Sequence, residues 1–209
     1  MSSFFFLAKS VKLCKLNNMS MGKRIPKVKI VGGKFRGINI SFQPSRSLRP
    51  TSNKTRETLF NWLMHDIRNS NCLDMFAGTG SLGIEAISRG ANSVCFVEKN
   101  KKIFANLSST LSNLGITDQS KMINGNSLEI CLEREKKDAY DIVFLDPPFG
   151  KNIVSNIYGK LVNKDLIHKR TLIYLEVEKN TQIDKDLNEW KLIKHESTSQ
   201  TRFGLFKMK

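Results

Sequence analysis

Asp146, Pro147, Pro148 and Phe149 follow directly on the apolar run Tyr140–Leu145, so a buried strand delivers a carboxylate into a rigid turn with an aromatic ring beside it. A turn of this kind can methylate an amino group on a flat base. The lone pair of an exocyclic amine is delocalised into its ring, and hydrogen-bond acceptors must localise it before it can act as a nucleophile. If the Asp146 carboxylate and the Pro147 carbonyl each accept one N–H, the nitrogen moves toward tetrahedral geometry and its lone pair can be aimed at a methyl donor. Pro147 and Pro148 fix φ and hold each preceding residue extended, which sets the acceptors in place before substrate arrives. Phe149 offers a face on which the base can stack. The bland alternative is a strand that ends in a Pro-Pro loop for structural reasons alone.

A second motif points to the donor. Cys72 to Gly83 reads as a short strand, a glycine turn and the start of a helix running to about Arg89. In it Asp74, Phe76, Ala77, Gly78, Thr79 and Gly80 are the candidate cofactor residues. Gly78 and Gly80 let backbone approach a ligand, and the helix start brings unpaired N–H groups. Gly78, Gly80 and Gly83 also satisfy the dinucleotide fingerprint, a weak signal alone. The strand Ser93–Val97 leads to Glu98, whose carboxylate can take both hydroxyls of a ribose, which suits NAD and S-adenosylmethionine equally. Asp74 discriminates: at the end of the first strand it would repel a pyrophosphate but receive the ammonium of a methionine moiety. Asn126, just past a third strand around Lys121–Ile123, is placed to hydrogen-bond an adenine edge, although an Asn in a loop is commonly a turn residue.

Charge separates the chain into unequal parts. The whole carries a net charge of +15 in 209 residues, yet residues 1–56 hold 13 Lys or Arg and no acid, whereas residues 57–209 hold 21 basic and 19 acidic residues. Polyanion binding is therefore expected of the N-terminal quarter, with a nearly neutral catalytic domain behind it. Lysine enrichment with solvated charges is the plainer account, and it explains excess lysine better than absent acids. The four cysteines, 14, 72, 95 and 131, form no C-x-x-C pair and have no companion histidine spacing, so no metal is expected. Cys72 and Cys95 read as small core residues of a reducing, cytoplasmic compartment. No segment approaches a membrane span. The first 26 residues read as a basic tail, disordered or a mis-assigned start before Met19 and Met21, in preference to a targeting peptide.

These residues need a scaffold. Lys27–Phe42 reads as a small hairpin, with Val28, Ile30 and Val31 on one arm, Ile38 and Ile40 on the other and Gly32–Gly37 at the tip, where Lys34, Phe35 and Arg36 suit phosphates and an unstacked base. Phe35 packing inward is the competing reading. A connector to residue 52 carries Arg49, and a helix of roughly Asn53–Ile67 follows, its Leu59, Phe60, Leu63 and Ile67 at helical spacing and Arg56 on the opposite side, to bind phosphate or be solvated. From Asn71 onward strands near 72–75, 93–98, 121–123, 140–145 and 171–177 alternate with helices near 81–89, 100–114 and 151–162. That alternation predicts an α/β fold with a Rossmann-like parallel sheet over 53–209, closed by an antiparallel pair, Trp190–His195 and Arg202–Lys207. Ligands in such sheets sit at the carboxyl ends of the strands, where Asp74, Glu98, Asn126 and Asp146 fall.

Val28-Lys-Ile-Val-Gly-Gly-Lys-Phe-Arg-Gly37, Leu48-Arg-Pro-Thr51, Arg56-Glu-Thr-Leu-Phe-Asn-Trp-Leu63, Leu73-Asp-Met-Phe-Ala-Gly-Thr-Gly80, Asp146-Pro-Pro-Phe149 and Leu172-Ile-Tyr-Leu-Glu176 together resemble the RsmD family of bacterial 16S rRNA guanine-N2 methyltransferases, over about residues 27–209. The resemblance implies a class I S-adenosylmethionine-dependent fold, and methylation of one guanine, the 966-type position, in the small ribosomal subunit or an assembly intermediate. By the same likeness Asp74–Gly80, Glu98 and Asn126 bind the cofactor and Asp146–Phe149 hold the guanine, while Lys34, Phe35, Arg36, Arg49 and Arg56 are the candidate RNA contacts. Two departures are visible: Asn53 stands where the family often has Asp, and Ile38-Asn39 replaces a more basic pair. Guanine has support of its own, because its adjacent N1–H and N2–H donors suit a carboxylate, whereas adenine N1 is an acceptor. An adenine-N6 DNA methyltransferase with the same turn and a non-catalytic RNA-binding assembly factor are the alternatives. Nothing in the sequence demands a partner chain, so a monomer is expected.

Overall fold

The computed structural model describes residues 25–44, 51–127, 139–148, 154–181 and 189–209. Residues 1–24 of the expected tail, Arg49, Phe149, Cys14 and Cys131 lie outside them.

The N-terminal hairpin pairs β1 (Lys27–Lys29) with β2 (Asn39–Ser41), Val28 opposite Ile40, and a short 3-10 turn at Gly33–Phe35 forms its tip. Val28, Ile30 and Ile40 face inward and are buried, while Lys27, Lys29, Asn39 and Ser41 face solvent. Two strands this short are not stable alone. The hairpin is held because Ile30 and Ile40 join the main core, and because its tip is pressed against helix α2 (Ser81–Ser88). Ser88 Oγ donates to the Gly32 carbonyl at 2.6 Å and accepts from the Phe35 N–H at 2.9 Å. Gly33 has a φ of +73°, and a Cβ there would lie 1.8 Å from the Ser88 carbonyl oxygen, so both conformation and space demand glycine.

Helix α1 (Asn53–Trp62) starts where Ser52 accepts the Thr55 N–H at 3.1 Å, an N-cap of the favoured type. It stops five residues short of the expected Ile67. Leu63 takes up a non-helical conformation, but turns carry the chain on so that Ile67, whose N–H bonds the Leu63 carbonyl, is still buried. The apolar spacing therefore outlasts the helix.

Seven strands make the central sheet: β3 (Asn71–Asp74), β4 (Ser93–Glu98), β5 (Ser120–Asn124), β6 (Tyr140–Leu145), β7 (Ile167–Glu178), β8 (Trp190–Ser197) and β9 (Thr201–Met208), in the order β5-β4-β3-β6-β7-β9-β8. The first five pair in parallel and β9 runs antiparallel to both neighbours. Helix α3 (Lys101–Asn113) and helix α4 (Val154–Asn163) complete the layers. Alternate residues of β6 divide the core, Ile142 and Phe144 packing with α1 and α2 on one face, Val143 and Leu145 with Ile157 and Leu161 of α4 on the other. Strand β7 starts four residues before the expected 171, because the polar stretch His168–Arg170 is an irregularity between the Tyr140–Ile167 and Ile142–Leu172 pairings rather than a loop. Among the described residues no helix is long and apolar enough to cross a membrane, and no group of His, Cys, Asp and Glu is placed to hold a metal.

The strand order reverses between β3 and β6. From β3 the chain goes outward through β4 and β5, then returns to lay β6 on the other side. The crevice at the carboxyl ends of β3 and β6 is where open α/β sheets bind ligands.

Candidate active site

That crevice is built by backbone pairing carried to its edge. Asp74 lies opposite Phe144 in the register, and the pairing continues with the Met75 N–H on the Phe144 carbonyl at 3.2 Å. Asp146 follows two residues beyond Phe144, about 6–7 Å further along the strand direction. The sheet thus brings two carboxylates to one rim from opposite sides of the switch point.

Asp74 is only 2 % exposed, and its Oδ2 accepts the Gly83 N–H at 3.3 Å, in the first turn of α2. Burial pushes its carboxyl up to about 7, and the backbone donors of Gly83 and Phe76 pull back against this. A buried carboxylate raised in this way is a receptor for a cation. Glu98, also buried, ends β4, and its two oxygens accept from the Gly78 N–H at 3.0 Å and the Asn100 N–H at 2.7 Å. Those two bonds orient the carboxylate and leave lone pairs for a diol. Asn100 goes on to cap α3 through the Lys102 and Ile103 N–H groups.

The glycine loop divides its labour. Gly78 and Gly80 have φ of +53° and +76°. A Cβ on Gly80 would stand 2.3 Å from Leu107 of α3, and one on Gly83 would meet the Phe96 ring at 2.2 Å, so these two glycines serve close packing of helices and strand. Phe76 and Gly78 are half-buried at the rim, whereas Ala77 and Thr79 are buried beneath it. Asn126 lies in the loop after β5, half-buried. Its neighbour Ser127 is tied by its hydroxyl to the Met75 carbonyl, which sets that loop beside the end of β3.

Pro147 is buried and Asp146 and Pro148 are half-buried. Thr51, in the connector before α1, donates its hydroxyl to Asp146 Oδ2 at 3.0 Å. On the neighbouring strand the buried Tyr174 hydroxyl donates to Glu176 Oε2 at 2.8 Å. Its phenol is pushed well above its ordinary value by burial, then by the charges of Glu176 and Asp146. Sequence reasoning missed Thr51, Tyr174 and Glu176 as neighbours of the rim.

The expected RNA residues separate. Arg56 is not on the surface: it is fully buried, and the expectation of a phosphate contact or a solvated cation is corrected. Its guanidinium bonds Glu85 Oε2 at 3.2 Å, the Lys29 carbonyl at 2.7 Å, the Asn53 side chain at 2.5 Å and the Thr51 carbonyl at 3.3 Å. Glu85, fully buried on α2, also accepts the Val31 N–H at 2.8 Å and Arg89 Nε at 2.8 Å. Burial lowers the Arg56 pKa, Glu85 opposes that and Arg89 adds to it. The signal in the sequence was Glu85 itself, one acid in the otherwise apolar and small Ser81–Ser88 helix, which must bring a buried cation with it. Asn53, the departure from family pattern, retains the acceptor for Arg56 without the charge.

Phe35 packs, partly buried, against the core, so the inward reading holds over base stacking. Lys34 lies over its ring at 4.8 Å and bonds Gln119 at 3.1 Å, while Arg36 is exposed. The tip sits at the C-terminal end of α2, about 12 Å of helix from the cofactor loop. Lys34 and Arg36 are thus not brought to the rim with Asp146.

Residues 28–207 match the family model described as Conserved hypothetical protein 95. The chain is 41% identical over 189 residues to the protein named Ribosomal RNA small subunit methyltransferase D of Buchnera aphidicola subsp. Acyrthosiphon pisum, covering 90% of this chain and 97% of that relative. It is 38% identical over 180 residues to the Haemophilus influenzae protein of the same name, covering 86% and 93%. The solved structure of Escherichia coli yhhF superposes with a TM-score of 0.78 at 29% identity, covering 88% of this chain and 98% of that one. A mostly parallel sheet whose strand order reverses between the strands that lead to Asp74 and Asp146, and that finishes in an antiparallel hairpin, is the class I methyltransferase fold, and the chain belongs to the Conserved hypothetical protein 95 family, the RsmD methyltransferases.

Proposed function

We propose that this protein methylates the exocyclic N2 of one guanine, the 966-type position, of 16S rRNA in the small ribosomal subunit or an assembly intermediate, with S-adenosylmethionine as methyl donor. The observation that carries the reading is the placement of Asp146, with Pro147 behind it, across the strand-order switch from the buried Asp74.

The residues fit the cofactor. Asp74, a buried carboxylate beside the start of α2, would hold the ammonium of its methionine part. Glu98 would hold the ribose hydroxyls, Asn126 the adenine edge, and Phe76 to Gly80 would line its path. When bound, the cofactor supplies an electrophilic methyl carbon on a cationic sulfur. The protein's own work is acceptance. Asp146 and the Pro147 carbonyl take the N–H groups of the guanine N2, which localises the lone pair, and Asp146 leads the departing proton to solvent. Pro147 and Pro148 hold both acceptors without reorganisation. Phe149, outside the described residues, is the proposed stacking face.

On this reading residues 27–52 form an RNA-docking module and residues 53–209 the methyltransferase domain. Lys34, Arg36 and Arg49 would meet phosphates away from the target base, consistent with a substrate much larger than one nucleotide. Cys72 and Cys95, both buried in the core, accord with a cytoplasmic protein. The large exposed apolar residues Ile25, Ile38, Met64, Leu192 and Ile193 are few and scattered along the chain, only the last two sharing an element, β8, which accords with a monomer.

The test is methyl incorporation from labelled S-adenosylmethionine into small-subunit particles, free rRNA and DNA, with Asp146→Ala alongside. Labelled RNA that vanishes in the variant, with cofactor affinity kept within a few-fold, supports the reading. Labelled DNA, or a variant of near-normal rate, would overturn it.

A further inference from the structure

Asp146 is delivered by two prolines that fix backbone, but nothing in a proline fixes the neighbouring side chain. A carboxylate at the end of a strand still rotates about two bonds, and an acceptor misdirected by an ångström loses much of its effect. We propose that Thr51 is the positioning residue for Asp146, and that through it the N-terminal connector sets the orientation of the acceptor carboxylate. This rests on the proposed role of Asp146.

The geometry supplies each link. The Thr51 hydroxyl donates to Asp146 Oδ2 at 3.0 Å, from a residue only 7 % exposed, so water competes poorly for the bond. Thr51 is itself held by the helix that follows it. Its carbonyl accepts from Arg56 Nε at 3.3 Å, and the next residue, Ser52, is pinned as the N-cap of α1 by the Thr55 N–H. Arg56 is anchored in turn to Glu85 of the cofactor helix and to the Lys29 carbonyl of the hairpin. One buried guanidinium therefore fixes the hairpin, the cofactor helix and the connector together, and the connector aims the carboxylate. A carboxylate offers about four acceptor sites, so a bond from Thr51 leaves others for the base amine. A threonine also has what the site requires chemically, since its hydroxyl donates to the anion without supplying a positive charge that would withdraw it from the substrate.

The test compares full-length Thr51→Val, which keeps shape and removes the donor, with Thr51→Ser, which keeps the donor and removes the methyl. Steady-state methylation of small-subunit particles is read as kcat and KM separately, with cofactor affinity from calorimetry. We expect Thr51→Val to lower kcat about ten-fold or more, with KM for the particle and affinity for S-adenosylmethionine within about two-fold, and Thr51→Ser to stay within about three-fold of wild type. Thr51→Val at wild-type kcat, or Thr51→Ser as slow as Thr51→Val, would overturn the proposal. If the wild type methylates nothing, the reading of Asp146 fails separately, and a double-mutant cycle of Thr51→Val with Asp146→Ala on thermal stability still decides the contact. Coupling between the two supports it; strictly additive effects overturn it.

Discussion

Replacing Glu85 by alanine is the perturbation that most directly tests the buried network under the site. Arg56 and Glu85 meet at 3.2 Å with both side chains fully buried. Arg89, the other cation on Glu85, is 20% exposed and can turn toward water when its partner is lost. Arg56 has no such route, so Glu85→Ala strands a buried cation, a loss on the order of 3–5 kcal/mol. The Val31 N–H, which Glu85 accepts at 2.8 Å, is orphaned in the same step. Its cost of about 1–3 kcal/mol overlaps with the first, because hairpin and helix loosen together. A net loss of about 3–5 kcal/mol corresponds to a midpoint lowered by roughly 6–20 °C for a domain of this size. Urea unfolding followed by circular dichroism should show the midpoint fall with an unchanged m value. Glu85→Gln removes the charge and keeps one acceptor oxygen while turning the other into a donor, and should fall between wild type and alanine. A loss below about 1 kcal/mol in Glu85→Ala would refute the idea that this pair fastens the hairpin to the cofactor helix.

The remaining expectations concern titration, backbone and RNA. Asp74 has a carboxyl raised from 3.8 to about 7, so the folded protein holds an extra proton between those values. Its contribution to stability therefore declines as pH rises from about 4 to 7. A bound ammonium favours the ionised form, so S-adenosylmethionine affinity should climb as pH rises through about 7, and calorimetry of Asp74→Asn should show a flat dependence. Gly33→Ala places a Cβ 1.8 Å from the Ser88 carbonyl at a left-handed φ, and should destabilise by several kcal/mol in the same urea assay. Lys34→Glu with Arg36→Glu should weaken rRNA binding and flatten its salt dependence, and unchanged binding across a salt series would place the RNA surface elsewhere.

The sheet and its rim were legible because their signals are local. Alternating strands and helices, the acids closing the strands at Asp74 and Glu98, and the Asp146 turn are each written in a few consecutive residues. Their meeting follows from the parallel topology. What escaped depends on distant pairing. Arg56 shows the same helical position whether it faces phosphate or Glu85, and only burial by the hairpin, 27 residues upstream at Lys29, decides it. Phe35 between two cations reads as a nucleic-acid contact until Ser88 captures the tip and turns the ring onto the core. Thr51 sits 95 residues from Asp146, and no periodicity links them. The strand β7 reads short in the sequence because a bulge hides in His168–Arg170, where polar side chains break the apolar pattern and the pairing shifts register before resuming at Leu172.

The central claim is guanine-N2 methylation of small-subunit rRNA. Its most direct test is digestion to nucleosides of small-subunit particles, free rRNA and DNA after incubation with the protein and methyl-labelled S-adenosylmethionine. We expect label in N2-methylguanosine from particle or rRNA. Label in N6-methyladenine from DNA, or none in any sample from a protein that binds the cofactor, would contradict it.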